Sequence, residues 1–255
     1  MLAIERRSAI VKVLEINGSA MVGDLSSQFN VTEETIRRDL ANLENSKKIR
    51  RVHGGAYLLK GIEQTVPVEL RRRFFVEEKK RMAKLCLNMI EDRDTIMLDC
   101  STTALVIAQE IRDVKKAVVV ITNSFDIVQV LGGCDFVSVI CLGGAFKAET
   151  SSFRGHMALA NLKEFYADKA FVSCTRVHLS FGATDNVESE AKIRATMLAH
   201  SQKRILIADN TKFNSVAIYK LAELEHLDYI VTDSEFSEEW KTLLNRLAVN
   251  MIVAS

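Results

Sequence analysis

The sequence predicts an α/β protein in two parts, a small helical N-terminal part and a larger part built on a mainly parallel sheet. From about residue 82, seven short runs rich in Val and Ile alternate with amphipathic stretches, which is typical of a Rossmann-like domain with helices on both faces of its sheet. The predicted strands are TIMLD, AVVVIT, FVSVICL, KAFVS, RILIA, DYIVT and NMIVA. Before residue 82, apolar residues recur at helical spacing and one hairpin signal follows them. The only proline, Pro67, lies between the two patterns and indicates a linker.

The first sixty residues predict three helices followed by a β-hairpin. The first helix ends before Gly18, and the second covers residues 21–29. Thr32 is suited to cap the third helix, EETIRRDLANLENS. The run KKIRRVHGGAYLL then alternates and turns at Gly54 and Gly55. This order of elements is typical of a winged helix-turn-helix, a fold that binds DNA in the major groove.

The sequence of the third helix predicts a polar face that contacts DNA. At about 100° per residue, Ile36, Leu40 and Leu43 form one stripe that faces the core, and Arg38 lies nearly opposite. Asp39 lies near the apolar edge, so we expect it to pair within the protein. The hairpin adds basic donors for phosphate oxygens. The predicted DNA contacts are Thr32, Glu34, Thr35, Arg37, Arg38, Asn42, Arg50, Arg51 and His53.

The alternative for Arg37 and Arg38 is that they are ordinary solvated charges on a surface helix. The charge distribution favours DNA contact. The formal net charge is only +1, but residues 1–60 contain ten Lys and Arg against seven Asp and Glu. The excess of basic residues therefore lies at the N-terminal end, together with the capped helix and the basic hairpin.

Composition excludes several other classes of protein. The five cysteines are widely scattered, without a C-x-x-C pair or histidines at metal-ligand spacing, so we expect reduced core thiols and no metal site. No apolar run reaches the roughly 20 residues that span a bilayer. Charged residues interrupt the N-terminal stretch where an export signal would be apolar. The sequence therefore predicts a soluble, cytoplasmic protein that does not contact membranes.

Polar or small residues follow three of the predicted strands. In an open parallel sheet, ligands collect at the carboxyl ends of the strands, where helix N-termini present backbone amides to anions. The residues at these ends are Asp99, Ser101, Thr102, Thr103, Asn123, Ser124, Gly143 and Gly144. Helix capping is the alternative for the hydroxyl residues, and a simple turn is the alternative for the two glycines. Three such ends in succession favour a site for an anionic oxygen group.

Two sets of motifs resemble the DeoR family of bacterial transcriptional regulators. The run VTEETIRRDLANLENSKKIRRVHGGA resembles the family's DNA-binding signature. The runs LDCSTTA, VVVITNS, ICLGGAF, DKAFVSC, FGAT and ADNTKF resemble its sensor domain, which is related to ribose-5-phosphate isomerase A. The resemblance covers residues 1 to about 235. It implies that the phosphate of a small metabolite binds at Ser101, Thr102 and Thr103. It also implies that Asp99, Asn123, Gly143, Gly144, Lys192 and Lys212 line the rest of the site.

The isomerase relatives carry acids that this sequence lacks. In them, an Asp-Gly-Ala-Asp turn follows the strand that matches KAFVS, and a Glu precedes the lysine that matches Lys192. This chain has Ser173 to Arg176 at the first place and Ala191 at the second. We expect the helical phase of Glu188 and Glu190 to direct them elsewhere. The resemblance therefore implies a binding protein with no catalytic residues and no cofactor.

These observations predict a winged helix-turn-helix at residues 1–58, a linker at 59–75 and a phosphosugar-sensing α/β domain at 76–255. We expect a sequence-specific regulator, most simply a repressor of a sugar or related carbon-catabolic operon, controlled by a phosphorylated sugar or polyol. A single helix-turn-helix covers one half-site of double-stranded operator DNA, so a homo-oligomer, dimer or tetramer, is expected. Two alternatives remain: an isomerase-like enzyme with an accessory DNA-binding head, and a nucleoid-type binder without a ligand.

Overall fold

Two units make up the chain, Met1–Val76 and Glu77–Ser255. The computed structural model describes residues 1–17, 19–46, 49–52, 54–58 and 68–254. Pro67 and most of the predicted linker, residues 59–67, lie outside the described residues, as do Lys47, Lys48 and His53.

The first unit contains the three predicted helices and the predicted hairpin, so this part of the fold prediction is confirmed. A third strand, which the sequence analysis missed, joins the hairpin to form an antiparallel sheet in the order β1-β3-β2. The elements are α1 (Ala3–Asn17), β1 (Ser19–Met21), α2 (Val22–Phe29), α3 (Glu33–Asn45), β2 (Ile49–Val52), β3 (Gly55–Leu58) and α4 (Val68–Arg73).

The core of the first unit lies between its helices and this sheet. Ile10 of α1, Leu25 of α2, and Ile36 and Leu40 of α3 are buried and belong to one apolar cluster. The close pairing of β1 with β3 requires Gly55, because a Cβ atom there would lie 2.5 Å from the carbonyl oxygen of Ala20.

The turn between α2 and α3 has the predicted cap. Asn30 adopts a left-handed conformation, with a φ of 51°, and ends α2. Thr32 is the N-cap of α3, and its hydroxyl accepts a hydrogen bond from the backbone amide of Thr35 at 3.3 Å. This turn fixes where α3 begins.

Residues 68–88, which include the C-terminal part of the predicted linker, form two helices. These are α4 and then α5 (Val76–Asn88), with a break at Phe74 and Phe75. Phe75 has a φ of 54°, which helical residues do not adopt, and Phe74 is buried. Residues 71–81 read RRRFFVEEKKR and contain no glycine or proline that would signal the break.

The second unit is built on the predicted parallel sheet. Its remaining elements are β4 (Thr95–Leu98), α6 (Thr102–Asp113), β5 (Val118–Thr122), α7 (Phe125–Leu131), β6 (Val137–Cys141), β7 (Ala145–Lys147), β8 (Ser152–Arg154), α8 (His156–Leu162), β9 (Ala167–Ser173), β10 (Arg176–His178), β11 (Gly182–Asp185), α9 (Glu188–Ala199), β12 (Ser201–Ile207), β13 (Tyr219–Ala222), β14 (Tyr229–Thr232), α10 (Glu238–Arg246) and β15 (Asn250–Val253). All seven predicted strands pair in parallel, in the order β15-β14-β12-β9-β4-β5-β6.

The strand order places a topological switch point between β4 and β9. Successive strands run outward from β4 through β5 to β6, and the later strands run outward from β9 on its other side. Chain connections at the carboxyl ends of β4 and β9 therefore lead to opposite sides, and this is the usual place for a ligand in an open α/β sheet.

Helices cover both faces of the sheet, as predicted. Ile96 and Leu98 of β4 pack in one apolar cluster with residues of α5, α6 and α7, whereas Met97 packs in a second cluster with residues of α8, α9 and α10. This alternation follows from the period of two along a strand. Among the described residues, no helix has the combined length and apolar character that a membrane crossing requires.

Two small sheets were not predicted. The strands β7 and β8 form an antiparallel hairpin, and β10, β11 and β13 form a second antiparallel sheet. These strands contain three or four residues, which is too short for alternation to be detected.

Candidate functional site

The outer face of α3 has the orientation that the sequence predicts. Arg38 is exposed opposite the buried Ile36 and Leu40. Among the described residues, no carboxylate forms an ion pair with Arg38. Thr32, Glu34 and Asn42 are exposed beside it and Thr35 is half-buried. The guanidinium of Arg38 is thus free to bind a base edge or a phosphate.

Arg37 and Asn42 already have partners within α3. The Nη2 atom of Arg37 lies 2.7 Å from Oε2 of Glu33, one turn earlier in the helix. The Nδ2 atom of Asn42 donates a hydrogen bond to the carbonyl oxygen of Arg38 at 3.0 Å. Both contacts are at the surface, where exchange for a DNA partner costs little.

A buried ion pair attaches α3 to α1. The Nε atom of Arg6 donates to Oδ2 of Asp39 at 2.6 Å, and both side chains are almost completely buried. Nη1 of Arg7 lies 3.9 Å from the other carboxylate oxygen. The expectation that Asp39 pairs within the protein is confirmed, and the pair joins α3 to α1.

The hairpin is attached to α3 through Arg51. Its backbone amide donates to Oε1 of Glu44 at 2.9 Å, and its Nε donates to Oε2 of the same carboxylate at 2.6 Å. The backbone of Arg50 pairs with Tyr57 in the hairpin. His53 and the side chain of Arg50, both predicted DNA contacts, lie outside the described part of the chain.

In the second unit, the residues after β4 form an ordered turn. Asp99 is fully buried; its Oδ1 accepts from the amide of Ser101 at 3.1 Å and its Oδ2 accepts from the amide of Ser173 at 3.2 Å. Ser101 caps α6 by accepting from the amide of Ala104 at 3.1 Å. Asp99 therefore connects the ends of β4 and β9, and its side chain is not exposed to solvent.

The residues after β5 and β6 also serve the fold. Ser124 caps α7, and the Nδ2 atom of Asn123 donates to the carbonyl oxygen of Phe153 at 3.1 Å. Gly144 has a φ of 107°, and a Cβ atom there would lie 2.7 Å from the carbonyl oxygen of Arg154. Its small size accommodates the protein's own backbone, whereas Gly143 has open space around it.

The two predicted lysines lie in different surroundings. The Nζ atom of Lys212 donates to the hydroxyl of Ser173 at 2.7 Å, so this lysine reaches the end of β9. Lys192 is exposed on α9, with its Nζ 2.7 Å from Oε1 of Glu188. It lines a cavity of about 250 Å³ with Gly155, His156, Leu159, Glu188, Ser189 and Ile193.

Family models match both units of the chain. A DeoR-like helix-turn-helix domain matches residues 6–61, and the DeoR C terminal sensor domain matches residues 75–234. The chain belongs to the DeoR family of transcriptional regulators.

Individual relatives match this DeoR-family chain over nearly its whole length. An uncharacterized HTH-type transcriptional regulator of Bacillus subtilis, YulB, is 35% identical over 92% of this chain and 90% of its own. The lactose phosphotransferase system repressor of Lactococcus lactis is 30% identical over 92% of each chain. The transcriptional repressor AccR of Agrobacterium fabrum is 29% identical over 98% of this chain and 97% of its own.

Solved structures resemble the DeoR-family chain more distantly. Ribose 5-phosphate isomerase A from Methanocaldococcus jannaschii covers 53% of each chain, with 16% identity and a TM-score of 0.39. That similarity is too low to establish a common fold.

Arg194, which was not among the predicted site residues, lies at the centre of the strand-end region of this DeoR-family regulator. The side chain is buried, with Nε 2.6 Å from Oδ2 of Asp99 and Nη1 2.6 Å from Oδ2 of Asp185. Burial acts to lower the pKa of Arg194, but the carboxylates of Asp185, Asp99 and Glu190 together hold it above its ordinary value. Arg194 therefore remains charged.

The expectation that Glu190 points away from the strand ends was wrong. Glu190 is 5% exposed, with Oε2 3.3 Å from Nη1 of Arg194 and Oε1 3.2 Å from Nη2 of Arg154. Positions 190 and 194 are one helical turn apart and share the inward face of α9. The prediction compared the helical phase of Glu190 with that of Ala191 and Lys192, which lie on other faces of α9. The four-residue spacing of Glu190 and Arg194 indicates that these two side chains share a face.

Proposed function

We propose that this DeoR-family regulator represses a sugar or related carbon-catabolic operon in the cytoplasm and that a phosphorylated sugar or polyol controls it, without turnover. Two of the relatives that match nearly the whole chain are named repressors, one of them for a lactose phosphotransferase system. The observation that carries the proposal is the group of polar residues at the switch point of the sheet, which includes Asp99, Ser101 and Arg194. The same chain exposes the guanidinium of Arg38 on α3.

The DNA-binding part of the proposal gives α3 the role of reading helix. Arg38 would contact a base edge in the major groove, since a guanidinium binds guanine through two hydrogen bonds. Thr35 and Asn42 lie beside it for further base contacts. Arg37 and Arg51 are placed for phosphate contacts, which position the protein without reading sequence.

The ligand-binding part places an anionic group at the start of α6. The backbone amides and the hydroxyls of Thr102 and Thr103 are the donors, and the dipole of this twelve-residue helix favours a negative charge there. Lys212 supplies the cation on the β9 side of the switch point. Asp99 acts by positioning the loop, since its oxygens already accept from the chain.

Control follows from linkage between ligand and DNA. A ligand shifts a conformational equilibrium only if it binds one arrangement more tightly than the other. Two DNA-binding heads in a homodimer or larger oligomer give operator affinity, and a change in their spacing or mobility would weaken it.

The experiment is a footprint of the purified protein on the DNA upstream of its own gene and neighbouring genes, with and without single phosphorylated sugars and polyols. We expect one protected sequence whose occupancy changes with one class of compound. DNA affinity that is indifferent to sequence and to every compound would favour a nucleoid-type binder and reject the proposal.

An isomerase-like activity is the second candidate, because Glu190 is a buried carboxylate near the strand ends. Proton transfer along a sugar requires a carboxylate base that is free to reach the substrate. Both oxygens of Glu190 lie within 3.3 Å of arginine side chains, which supports a role in binding. Incubation with ribose 5-phosphate tests this: turnover that Glu190→Gln abolishes would establish an enzyme.

A further inference from the structure

A ten-residue segment, which we call the strap, covers part of the strand-end region. It consists of residues 145–154 and contains β7, a 3-10 turn (Ala148–Thr150) and β8. Glycines with positive φ flank it on both sides: Gly143 at 65°, Gly144 at 107° and Gly155 at 94°. Glycine adopts such conformations at little cost, so both ends of the strap are suited to act as hinges.

The strap lies across the ends of β4 and β5. The amide of Phe153 donates to the carbonyl oxygen of Asn123 at 2.8 Å, and the amide of Phe125 donates to the carbonyl oxygen of Ser151 at 2.9 Å. The hydroxyl of Ser152 acts to lower the pKa of the Cys100 thiol, so the strap also lies near the loop after β4.

The strap is therefore seated where the proposed ligand-binding residues lie. Ser101, Thr102 and Thr103 are at most 7% exposed. A ligand of several carbons needs more surface than these three side chains expose, so the structure must open near them for a ligand to enter.

One ion pair joins the strap to α9. The Nη2 atom of Arg154, the last residue of β8, lies 3.2 Å from Oε1 of Glu190, and the two side chains are 12% and 6% exposed. Within the strap, Arg154 also donates to the hydroxyls of Thr150 and Ser152. The guanidinium is thus positioned at the inner edge of the strap, facing a carboxylate of the main body of the unit.

Two buried acceptors beside β8 can accept further hydrogen bonds. Among the residues that the structure describes, Oδ1 of Asn123 accepts none, and Oε1 of Glu190 has its ion-pair contact with Arg154 at 3.2 Å without hydrogen-bond geometry. Buried polar atoms of this kind are rare and call for an explanation such as an absent partner. Hydroxyl groups of a ligand would satisfy both atoms, because each hydroxyl supplies one donor.

We propose that Arg154 and Glu190 are ligand contacts whose ion pair also holds the strap closed. The anionic group of the ligand takes over Arg154, since guanidinium binds phosphate oxygens in a bidentate manner. Hydroxyls of the same ligand donate to Glu190 and Asn123. The ligand class is therefore a phosphorylated compound with at least two free hydroxyls. This inference rests on the proposed function, and it identifies the Arg154–Glu190 ion pair as the contact that the ligand breaks.

Hydrogen exchange of the purified full-length protein tests the ion pair without a ligand. In Glu190→Gln, the strap amides should exchange at least about ten times faster, because a mostly buried pair has lost its charge. Arg154→Met should give the same rise, and the double variant should exceed neither single variant, since both changes remove one interaction. Glu149→Gln is the matched control, because Glu149 is an exposed residue of the same strap. Its exchange should equal that of the unaltered protein.

Two outcomes would overturn the closing role. One is unchanged strap exchange in Glu190→Gln. The other is a rise spread over the whole sheet, which would make the pair a general support of the core. Circular dichroism of each variant monitors the fold.

Probe anions test the contacts. Inorganic phosphate, compared with chloride at equal ionic strength, should speed strap exchange in the unaltered protein and not in Arg154→Met. Glycerol 3-phosphate, with two hydroxyls, should act at lower concentration than inorganic phosphate, and Glu190→Leu, which removes the acceptor, should remove that advantage. Absence of a phosphate effect, or equal midpoints for both probes, would reject the contacts. Operator footprints are measured separately, so failure of the proposed function is distinguishable from failure of this inference.

Discussion

Arg194 and Asp99 form a buried ion pair, with Nε of the guanidinium 2.6 Å from Oδ2 of the carboxylate. The same guanidinium binds Asp185, whose other oxygen accepts from the hydroxyl of Thr175 at 2.6 Å. A single side chain thus connects the loop after β4, the loop after β9 and the end of β11. These loops border the switch point of the sheet.

Removal of this guanidinium should destabilise the second unit strongly. Arg194→Met leaves Asp99 and Asp185 buried without their cation, so we expect the free energy of unfolding to fall by about 3 to 5 kcal/mol. Urea denaturation followed by circular dichroism measures it. Arg204→Met is the control, because the partly exposed pair of Arg204 with Asp228 should contribute only about 0 to 1 kcal/mol. Equal losses in the two variants would contradict the role assigned to Arg194.

Substitution of Arg38 should reduce specificity for the operator. If its guanidinium contacts a base edge, Arg38→Ala should cost about 1 to 3 kcal/mol of operator binding and little of non-specific binding. Arg37→Ala is the companion variant and should weaken both kinds of binding alike, as expected for a phosphate contact. Gel-shift titrations at one salt concentration measure both affinities. A uniform loss in Arg38→Ala would reassign this residue to phosphate.

The hydroxyls at the start of α6 should contribute to ligand binding and not to DNA binding. The double substitution Thr102→Val and Thr103→Val keeps the shape of two buried side chains and removes two donors. We expect intact operator binding and loss of the response to the phosphorylated compound. Thr196→Val on α9 is the matched control, and its response should persist. A normal response in the double variant would place the ligand elsewhere.

The Arg6–Asp39 pair should contribute to both the stability and the DNA affinity of the first unit. Asp39→Asn removes the charge from a buried hydrogen bond, which should lower the stability of this unit by about 1 to 3 kcal/mol. Binding to every DNA sequence should weaken together, since α3 loses its attachment to α1. Thermal unfolding and gel shifts measure the two effects. Asp24→Asn, in an exposed pair with Arg73, should change neither; a similar effect there would show that surface charge alone is responsible.

The thiols should differ in reactivity. Burial raises the pKa of Cys100 to about 11 and that of Cys174 to about 12, whereas Cys141 is exposed at the end of β6. Only the thiolate reacts, so at pH 8 a group with the pKa of Cys100 is ionised in about one molecule per thousand. Iodoacetamide should therefore modify Cys141 first, with Cys100 and Cys174 reacting after unfolding. Peptide mass spectrometry identifies the order. Early modification of Cys100 would show that the strap opens readily.

The sequence predicted the parts of the fold that depend on repeated patterns. The seven strands of the large sheet are continuous apolar runs, and Thr32, Ile36 and Leu40 set the cap and inner face of α3 through spacing alone. The strap was not predicted, since β7 and β8 contain three residues each. The break between α4 and α5 at Phe75 depends on one backbone conformation without a sequence signal.

The candidate site was predicted less completely than the fold. Asp99 and Ser101 are neighbours in sequence, so their common loop was evident. Arg194 lies 95 positions after Asp99, and only the paired strands bring them together. Sequence spacing carries no information about such a contact. Glu190 was misjudged because helical phase was measured from Lys192, which the structure places at the surface.

The position of β4 in the sheet has a consequence for synthesis of the protein. The β4 strand precedes its neighbour β9 by some seventy residues, and Asp99 gains its partners only when Ser173 and Arg194 have left the ribosome. The first unit emerges well before that, and domains generally fold as they emerge. A chain terminated before Arg194 would therefore carry α3 and the rest of the first unit, while the second unit would lack the buried ion pairs that join its strand ends.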